Sequence, residues 1–349
     1  MRTKTKQASG FLIIYFISGS YYSNRILTRF IFQSAGKNGW IFIWGIALVM
    51  LLASIPLYRF IQSIQGKDFK ILYQKHPVIK KMVVSLMYLY LFISMFLCLT
   101  FLMTITNSSW LSQTPFTMIL VPFLLIIYYV LYQKKDVLYR LATLFIYPIM
   151  LQYLIFVFSK NKSFDLFAII PFSSQMPTRP FVALLAGLNM ILDLGFCLFY
   201  FQECQQKIKK LPYALVIFIH LFSLCYDSLI ATGQFGTLIA QIPYAYYESW
   251  RIINFGQYIV YLDVFAFFYW VTSAFCRLAI SMSLIKTYDQ PKKIIYHGTY
   301  IALWLSVVYV LSKASLYTSL RVPLLFTATL ALMISLILHI YIIRKQVKQ

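Results

Sequence analysis

Charged residues are scarce in this sequence, and acidic residues are the scarcest of them. Only 11% of the 349 residues are charged, with nine Asp and Glu against 31 Lys and Arg. Hydrophobic residues make up 61% of the chain and aromatic residues 19%. A soluble chain is typically about 25% charged, because it must cover its surface with polar groups. This composition excludes a soluble globular protein and predicts that lipid is the solvent.

Cysteine and histidine are too few and too scattered to suggest a metal site. None of the five cysteines forms a Cys-x-x-Cys pair, and the histidines stand far apart at positions 76, 220, 297 and 339. Neither a metal knuckle nor a disulfide framework is therefore predicted. The short motifs of zinc proteases, serine hydrolases, P-loop proteins and dinucleotide-binding proteins are also missing. We expect no cofactor, no metal and no enzymatic activity.

The formal net charge of +22 raises the question of a nucleic-acid partner. Nucleic-acid-binding proteins cluster Lys and Arg on one soluble face. Here the basic residues stand in short groups between apolar runs, which is the pattern of a membrane protein that follows the positive-inside rule. We expect the partner to be the lipid bilayer and not a nucleic acid.

Long apolar runs fill almost the whole chain. A helix needs about 20 mostly apolar residues to cross the hydrocarbon core. By this measure the sequence predicts an all-α polytopic protein, a single transmembrane domain over 1–349, with no soluble domain. Its ten predicted spans are 11–32, 40–62, 82–106, 116–133, 141–158, 181–201, 212–232, 257–285, 294–312 and 322–343.

The distribution of Lys and Arg predicts the orientation. With the N-terminus in the cytoplasm, 21 of these residues fall in cytoplasmic segments, 7 in the opposite loops and 3 inside spans. Cytoplasmic loops carry the excess of basic residues in membrane proteins. We therefore expect both termini in the cytoplasm.

Two of the predicted spans carry signals of an interrupted helix. Ser18-Gly19-Ser20 stands in the first span, and Ala186-Gly187-Leu188-Asn189 stands in the sixth. They lie five spans apart, as in a five-plus-five inverted repeat (about 11–158 and 181–343) whose paired broken helices form a site at the bilayer midplane. Free N–H and carbonyl groups at such breaks suit a small zwitterion. The alternative is that these glycines only allow close helix packing.

Ionisable residues inside spans are further candidates, because a charge at the midplane costs ~2.5–3.5 kcal/mol even on an insertion scale. Asp193 and Asp263 qualify. Arg277 lies about four turns beyond Asp263, too far along one helix to pair with it, and is expected to extend towards the cytoplasm. Arg25 and Arg29 are expected to reach the outer headgroups.

Two other features have more than one interpretation. His220 and Asp227, seven residues apart on a similar helix face, are expected to form a hydrogen-bonded structural pair rather than a proton relay. The segment 233–256 mixes Tyr and Trp with single charges. It is interpreted as an aromatic belt at the headgroups or as an interfacial amphipathic helix.

Several stretches, in order and spacing, resemble one family of membrane proteins. The sequence stretches that carry the resemblance are Gly39-Trp40 through IQGKDFKILYQK, Thr114-Pro115, KKDVLYRLATLFIYPI with Arg140 and Pro148, Asp165 with Ile170-Pro171, and Pro243 with Arg251-Ile252 before YLDVFAFFYWVTSAFCRLAISM. The last stretch places Asp263 and Trp270 in register with the family. The chain resembles the permease-like B subunits of nutrient germinant receptors, within the amino acid–polyamine–organocation transporter superfamily.

The resemblance implies a LeuT-like fold with broken first and sixth helices, in the cell membrane or the spore inner membrane. It also implies a subunit that binds a small nutrient such as an amino acid and acts with an A-type membrane subunit and a C-type lipoprotein. The alternative is a secondary transporter of the same fold. The ligand-binding residues that it implies are Ser18, Gly19, Ser20, Tyr88, Phe92, Ala186, Gly187, Asp263 and Phe267.

Overall fold

A computed structural model describes residues 2–65, 72–111, 113–132, 135–158, 165, 167–170, 179–201, 204, 207–252, 263–288, 294–311 and 313–347. Every regular element in these ranges is a helix, so the all-α prediction is confirmed. The α-helices are α1 (Arg2–Tyr21), α2 (Thr28–Ala35), α3 (Gly39–Ile64), α4 (Pro77–Ser109), α5 (Phe116–Tyr132), α6 (Lys135–Phe158), α7 (Pro180–Phe201), α8 (Lys210–Phe235), α9 (Ala245–Ile252), α10 (Asp263–Tyr288), α11 (Ile294–Leu311) and α12 (Ala314–Val347). A π-helix, Tyr22–Leu27, joins α1 to α2, and 3-10 turns occupy Gly36–Asn38 and Gly236–Ala240.

Six helical segments of the described chain are long and apolar enough to cross a membrane. They are Ser9–Ile64, Pro77–Ser109, Pro180–Phe201, Lys210–Ala240, Val264–Thr287 and Ser319–Lys345. Three shorter apolar helices are Phe116–Val130, Val137–Gln152 and His297–Leu311. The chain is thus a helical membrane protein, whereas the number of ten spans stays a prediction. Residues 257–262 of the predicted eighth span lie outside the described residues.

The segment Ser9–Ile64 contains both the first and the second predicted span. Its 56 residues would measure ~84 Å as one straight helix, far more than the ~30 Å hydrocarbon core. The helix α2 ends at Gly36, whose φ of 59° is favourable only for glycine. Because α2 then packs against α3, the chain turns back at this glycine.

Helix α3 shows how the sequence separates a protein-facing side from a lipid-facing side. Its buried residues recur every three or four positions: Ile43, Ala47, Met50, Ser54, Leu57, Ile61 and Ile64. That spacing places them on one face, and this face packs against α7 and α8. Leu48, Leu52 and Ile55 share another face and are 59–60% exposed. Such a large exposed aliphatic surface is stable in lipid and not in water.

The packing partners of the long helices define the centre of the fold. The run from α1 to α2 lies at the centre, with α1 packed against α6, α8 and α10. Helix α7 packs against α3 and α12, and α12 also lies along α4. Helix α4 in turn contacts α10 and α11. The π-helix contacts α4, α7 and α8, so it lies where the two halves of the chain meet.

The predicted interruption of the sixth span is wrong. Helix α7 is one continuous α-helix from Pro180 to Phe201 and includes Ala186 and Gly187. A Cβ at Gly187 would lie 2.6 Å from Cδ1 of Ile46 on α3. The glycine therefore allows two helices to approach closely, as small residues do in membranes. Asn189 donates from Nδ2 to Oγ1 of Thr329 on α12, at 2.8 Å.

The predicted interruption of the first span falls in a different place. Ser18, Gly19 and Ser20 are α-helical, and α1 continues to Tyr21. The departure from α geometry begins at Tyr22, where the π-helix starts. A π-helical segment is rare and is frequently found at functional sites. The first span is therefore irregular, but about one turn after the glycine.

The segment 233–252, interpreted from the sequence as an aromatic belt or an interfacial helix, packs several of its aromatic side chains inside the protein. Residues 236–240 form a 3-10 turn and 245–252 form α9, and Tyr246, Tyr247 and Trp250 are buried. Helix α9 packs against α8 and α10. Tyr246, Tyr247 and Trp250 therefore fill space between helices. The remainder of the predicted segment, 253–256, lies outside the described residues.

The packing of Gly187 generates a first prediction. Replacing Gly187 with Leu should lower the unfolding temperature of the purified protein in detergent, because the added atoms would overlap Ile46 and overpacking typically costs ~1–3 kcal/mol. Gly45→Leu is the matched control, since a Cβ at Gly45 meets no atom within 4 Å. Equal unfolding temperatures for the two variants would contradict the packing role.

Candidate functional site

Two pairs of opposite charges lie buried among the central helices. Arg277 with Asp193 and Arg25 with Asp227 have side chains that are at most 3% exposed. An unpaired charge at such depth is expensive, and such residues in spans are functional candidates by default. We define these four residues as the charged centre. Each pair is neutral as a whole, so its burial costs less than that of either charge alone.

The first pair joins three helices. Arg277 on α10 donates from Nη2 to Oδ1 of Asp193 on α7 at 2.8 Å, and from Nη1 to Oδ2 at 3.2 Å. This bidentate arrangement matches the planar guanidinium to the carboxylate. Tyr90 on α4 accepts from Arg277 Nη2 at 2.7 Å and donates to Asp193 Oδ1. The triangle of hydrogen bonds ties α4, α7 and α10 together in the core.

The second pair ties the π-helix to α8. Arg25 donates from Nη1 to Oδ2 of Asp227 at 2.6 Å. One residue earlier, Asn24 donates from Nδ2 to Oγ of Ser223, also on α8, at 3.0 Å. Aromatic rings complete the surroundings of Arg25, whose guanidinium carbon lies 5.2, 5.3 and 5.7 Å from the ring centroids of Tyr246, Tyr269 and Trp270. Rings at this distance attract a cation through their quadrupoles.

The π-helix also contacts the first pair. The ring of Tyr22 lies 4.4 Å from the guanidinium carbon of Arg277, and it meets Tyr90 edge-on at 6.5 Å between centroids. Residues of one short segment, Tyr22–Leu27, thus touch both buried ion pairs. A change in the helical geometry of this segment would therefore alter both pairs together.

Among the residues that the resemblance implies for ligand binding, Ser18, Gly19 and Ser20 lie nearest to this centre. Ser20 Oγ accepts a 2.6 Å hydrogen bond from the Tyr269 hydroxyl on α10 and donates to the Ile17 carbonyl at 2.9 Å. A Cβ at Gly19 would lie 3.6 Å from Cε1 of His220 on α8, which is ordinary contact. The three residues are buried one turn before the π-helix.

The other predicted ligand residues are dispersed. Ala186 is buried on α7, and Gly187 packs against α3. On α4, Tyr88 and Phe92 are half-buried against the hydrophobic core, with the Tyr88 hydroxyl 3.4 Å from the Ile285 carbonyl on α10. Phe267 stacks on Trp110 at 4.9 Å. Asp263 is the first residue of α10, and its side chain lies outside the described residues.

Three predictions about charged side chains are wrong. Arg277 does not extend to the cytoplasm, and Arg25 does not reach the headgroups, because each is bound to a buried carboxylate. Asp227 pairs with Arg25, so it is not the partner of His220. Arg29 is only half-buried, with its guanidinium carbon 5.0 Å from the Tyr244 ring centroid.

The sequence did contain a signal for the charged centre. Three arginines and three aspartates stand inside the predicted spans, and such equal numbers indicate pairing when the cost of an isolated charge is considered. Spacing could not assign the partners, which lie 202 and 84 residues apart in the chain. Tyr90 carried no signal, because one Tyr among 28 in the chain is not distinctive.

Among curated proteins, the chain is similar to spore germination protein XB of Bacillus anthracis, with 30% identity over 104 residues. The similarity is distant. The matched segment is 29% of this chain and 29% of the relative's length. No model of a known protein family matches the chain.

The charged centre generates a second prediction. Arg277→Ala should strongly lower the unfolding temperature in detergent, because removing one partner of a buried pair typically costs ~3–5 kcal/mol. Replacing both partners, Arg277→Met with Asp193→Leu, should restore part of the loss, since no isolated charge is left.

The exposed pair Arg251–Glu248, with side chains 56% and 31% exposed, provides the control. Arg251→Ala should change the unfolding free energy by less than ~1 kcal/mol, as surface pairs do. If Arg277→Ala were as mild as Arg251→Ala, or the double variant no better than the single one, the pair would not stabilise the fold as argued.

Proposed function

We propose that this protein is the permease-like membrane subunit of a spore germinant receptor, which binds a small nutrient and triggers germination. One structural observation carries the proposal: a π-helical segment in the first span touches two buried ion pairs that connect it to the helices of both halves. The similarity to a spore germination protein supports the biological context. The resemblance of the sequence motifs points to the same family.

A π-helical segment of this kind can adopt alternative packings. A π-helix is less stable than an α-helix and persists where its surroundings hold it. Here the surroundings are Arg25–Asp227 on one side and the Arg277 cluster, through Tyr22, on the other. A ligand that prefers one packing shifts the equilibrium by its difference in affinity for the two states. That is the minimum requirement for a nutrient sensor.

We further propose that the ten predicted spans form a five-plus-five inverted repeat. In such a repeat α1, α3, α4, α5 and α6 correspond to α7, α8, α10, α11 and α12. The packing supports this: α1 contacts α6 and α8, as α7 contacts α12 and α3. The pairs α3–α8 and α4–α10, which would each join equivalent helices, are also in contact.

The correspondence has one departure. Helix α1 lies along α10, whereas α7 meets α4 at Tyr90, through its contacts with Asp193 and Phe196. Transporters use inverted repeats for alternating access, which is why a secondary amino-acid transporter is the second candidate function. The two functions differ in whether solute crosses the membrane.

The proposal includes partners and a location. By the resemblance, the subunit would act with an A-type membrane subunit and a C-type lipoprotein in the spore inner membrane. Both termini would face the cytoplasm, as the distribution of basic residues favours.

The orientation is the third prediction. In a variant without the five native cysteines, single cysteines at Lys313 and Arg321 should react with a membrane-impermeant maleimide added to intact cells. Single cysteines at Lys209 and Lys345 should react only after the membrane is opened. Labelling of both sets from outside, or the reverse pattern, would contradict the proposed topology.

The fourth prediction concerns nutrient response. In a spore-forming host that carries this gene, deletion should slow the fall in optical density that one or more single nutrients induce. The wild-type gene should restore the response, and Gly19→Leu should not, because a branched side chain would crowd α1 against His220 on α8. Gly45→Leu, on the exposed face of α3, is the matched control and should restore it.

Protein levels of the two variants must be equal for this comparison. Normal germination of deletion spores with every nutrient would refute the proposed function, whereas a responsive Gly19→Leu would refute only the ligand segment. Counterflow of a labelled amino acid in proteoliposomes, with no effect of the deletion on germination, would favour the transporter.

A further inference from the structure

A small pocket lies beside the charged centre, where the π-helix passes into α2. We define it as the Arg29 pocket. The residues that line it belong to the π-helix, α2, α4, α9 and α10 and to the segment 242–244: Arg25, Arg29, Phe32, Phe101, Ile242, Pro243, Tyr244, Ala245, Tyr246 and Trp270. It has about 10 Å³ of space for the centre of a water-sized particle, close to the ~10–15 Å³ that one buried water needs.

The two arginines of this pocket differ in their partners. Arg25 is neutralised by Asp227. Arg29, one turn later, has ring contacts at 5.0 Å with Tyr244 and 5.7 Å with Phe101. In the part of the chain that the structure describes, it has neither an ion pair nor a hydrogen bond, and its Nε is buried without a partner. Among the described side chains, no carboxylate pairs with the positive charge of Arg29 in this pocket.

A second donor in the same pocket is also unused. Trp270 is 1% exposed, and within the described ranges its Nε1–H has no hydrogen-bond partner. A buried indole N–H normally finds an acceptor, and leaving it without one costs ~1–3 kcal/mol. Trp270 and Arg29 come from different helices, so the two observations are independent.

The start of α9 forms a third positive feature of the pocket. Ala245 is the first residue of this helix, and it lines the pocket together with Tyr244 and Tyr246. The first N–H groups of a helix lack intrahelical acceptors and carry a partial positive charge. None of the described residues that line the pocket is acidic. A cation, an indole N–H and a helix N-terminus thus converge, and no acidic side chain stands among the described residues around them.

From this convergence we infer that the Arg29 pocket binds one compact anionic group, either the carboxylate of a small organic molecule or a free inorganic anion such as chloride. The space available fits a group of about the size of one water. The carboxylate case rests on the proposed function, because that molecule would be the nutrient. The free-anion case is independent of it, and the anion would then be a structural ion beside the π-helix.

Binding is measured by the unfolding temperature of the purified full-length protein, in sodium methanesulfonate buffer at constant ionic strength. One arm titrates sodium chloride. The second arm titrates an equimolar mixture of the twenty proteinogenic L-amino acids, and a third titrates the same amino acids as carboxamides, which lack the carboxylate. We expect a saturable rise with chloride or with the amino acids, and none with the carboxamides.

Three variants test the assignment to this pocket. Arg29→Gln should raise the ligand concentration at the titration midpoint roughly tenfold or more, as expected for loss of a charged hydrogen bond. Trp270→Phe, which keeps the ring and removes the N–H, should raise this concentration by a smaller factor. Arg251→Gln removes an exposed arginine of α9 and should leave the midpoint unchanged.

The outcomes identify the ligand and separate a failure of the anion site from a failure of the proposed function. A rise with chloride alone identifies a free anion, and a rise with the amino acids alone identifies a ligand carboxylate. No saturable rise in either arm, or an unchanged midpoint in Arg29→Gln, would overturn the inference. Saturable binding together with normal germination of deletion spores would refute the proposed function and leave the anion site intact.

Discussion

An ionised side chain within the hydrocarbon core is tolerated only when opposite charge and hydrogen bonds replace the water it has lost. Asp193 meets this condition through Arg277 and Tyr90, and Asp227 meets it through Arg25. Because these partners stand on different elements, satisfying each carboxylate fixes the relative positions of α4, α7, α8, α10 and the π-helix. Apolar packing against lipid could not do this alone, since lipid tails are as apolar as the side chains that would be buried.

The same constraint holds the π-helix in place. The segment Tyr22–Leu27 touches both pairs, and its backbone geometry is less favourable than that of the α-helices on either side. Strong, directional contacts hold a weak element in place. A small energetic change at the segment is therefore transmitted to several helices at once, which is how packed elements convert local shifts into global ones.

The sequence predicted the parts of the fold that depend on local hydrophobicity. The predicted spans 40–62 and 181–201 match α3 (Gly39–Ile64) and α7 (Pro180–Phe201), because the length of an apolar run is set by the membrane itself. Partners of buried groups could not be predicted, because Arg25 and Asp227 meet only after the chain has folded. Gly187 was misinterpreted for a related reason: a glycine that breaks a helix and one that lets Ile46 approach look the same in sequence.

Arg29 differs from Arg25 and Arg277 in its partners. It lies one turn beyond Arg25, yet Arg25 pairs with a carboxylate and Arg29 has ring contacts but no carboxylate partner among the described side chains. Of the acidic side chains on the central helices that the structure describes, Asp193 and Asp227 are already engaged by Arg277 and Arg25. A half-buried cation beside an unused indole N–H offers two donors to an anion from solution. In a chain so poor in acidic residues, an external anion supplies what the sequence does not.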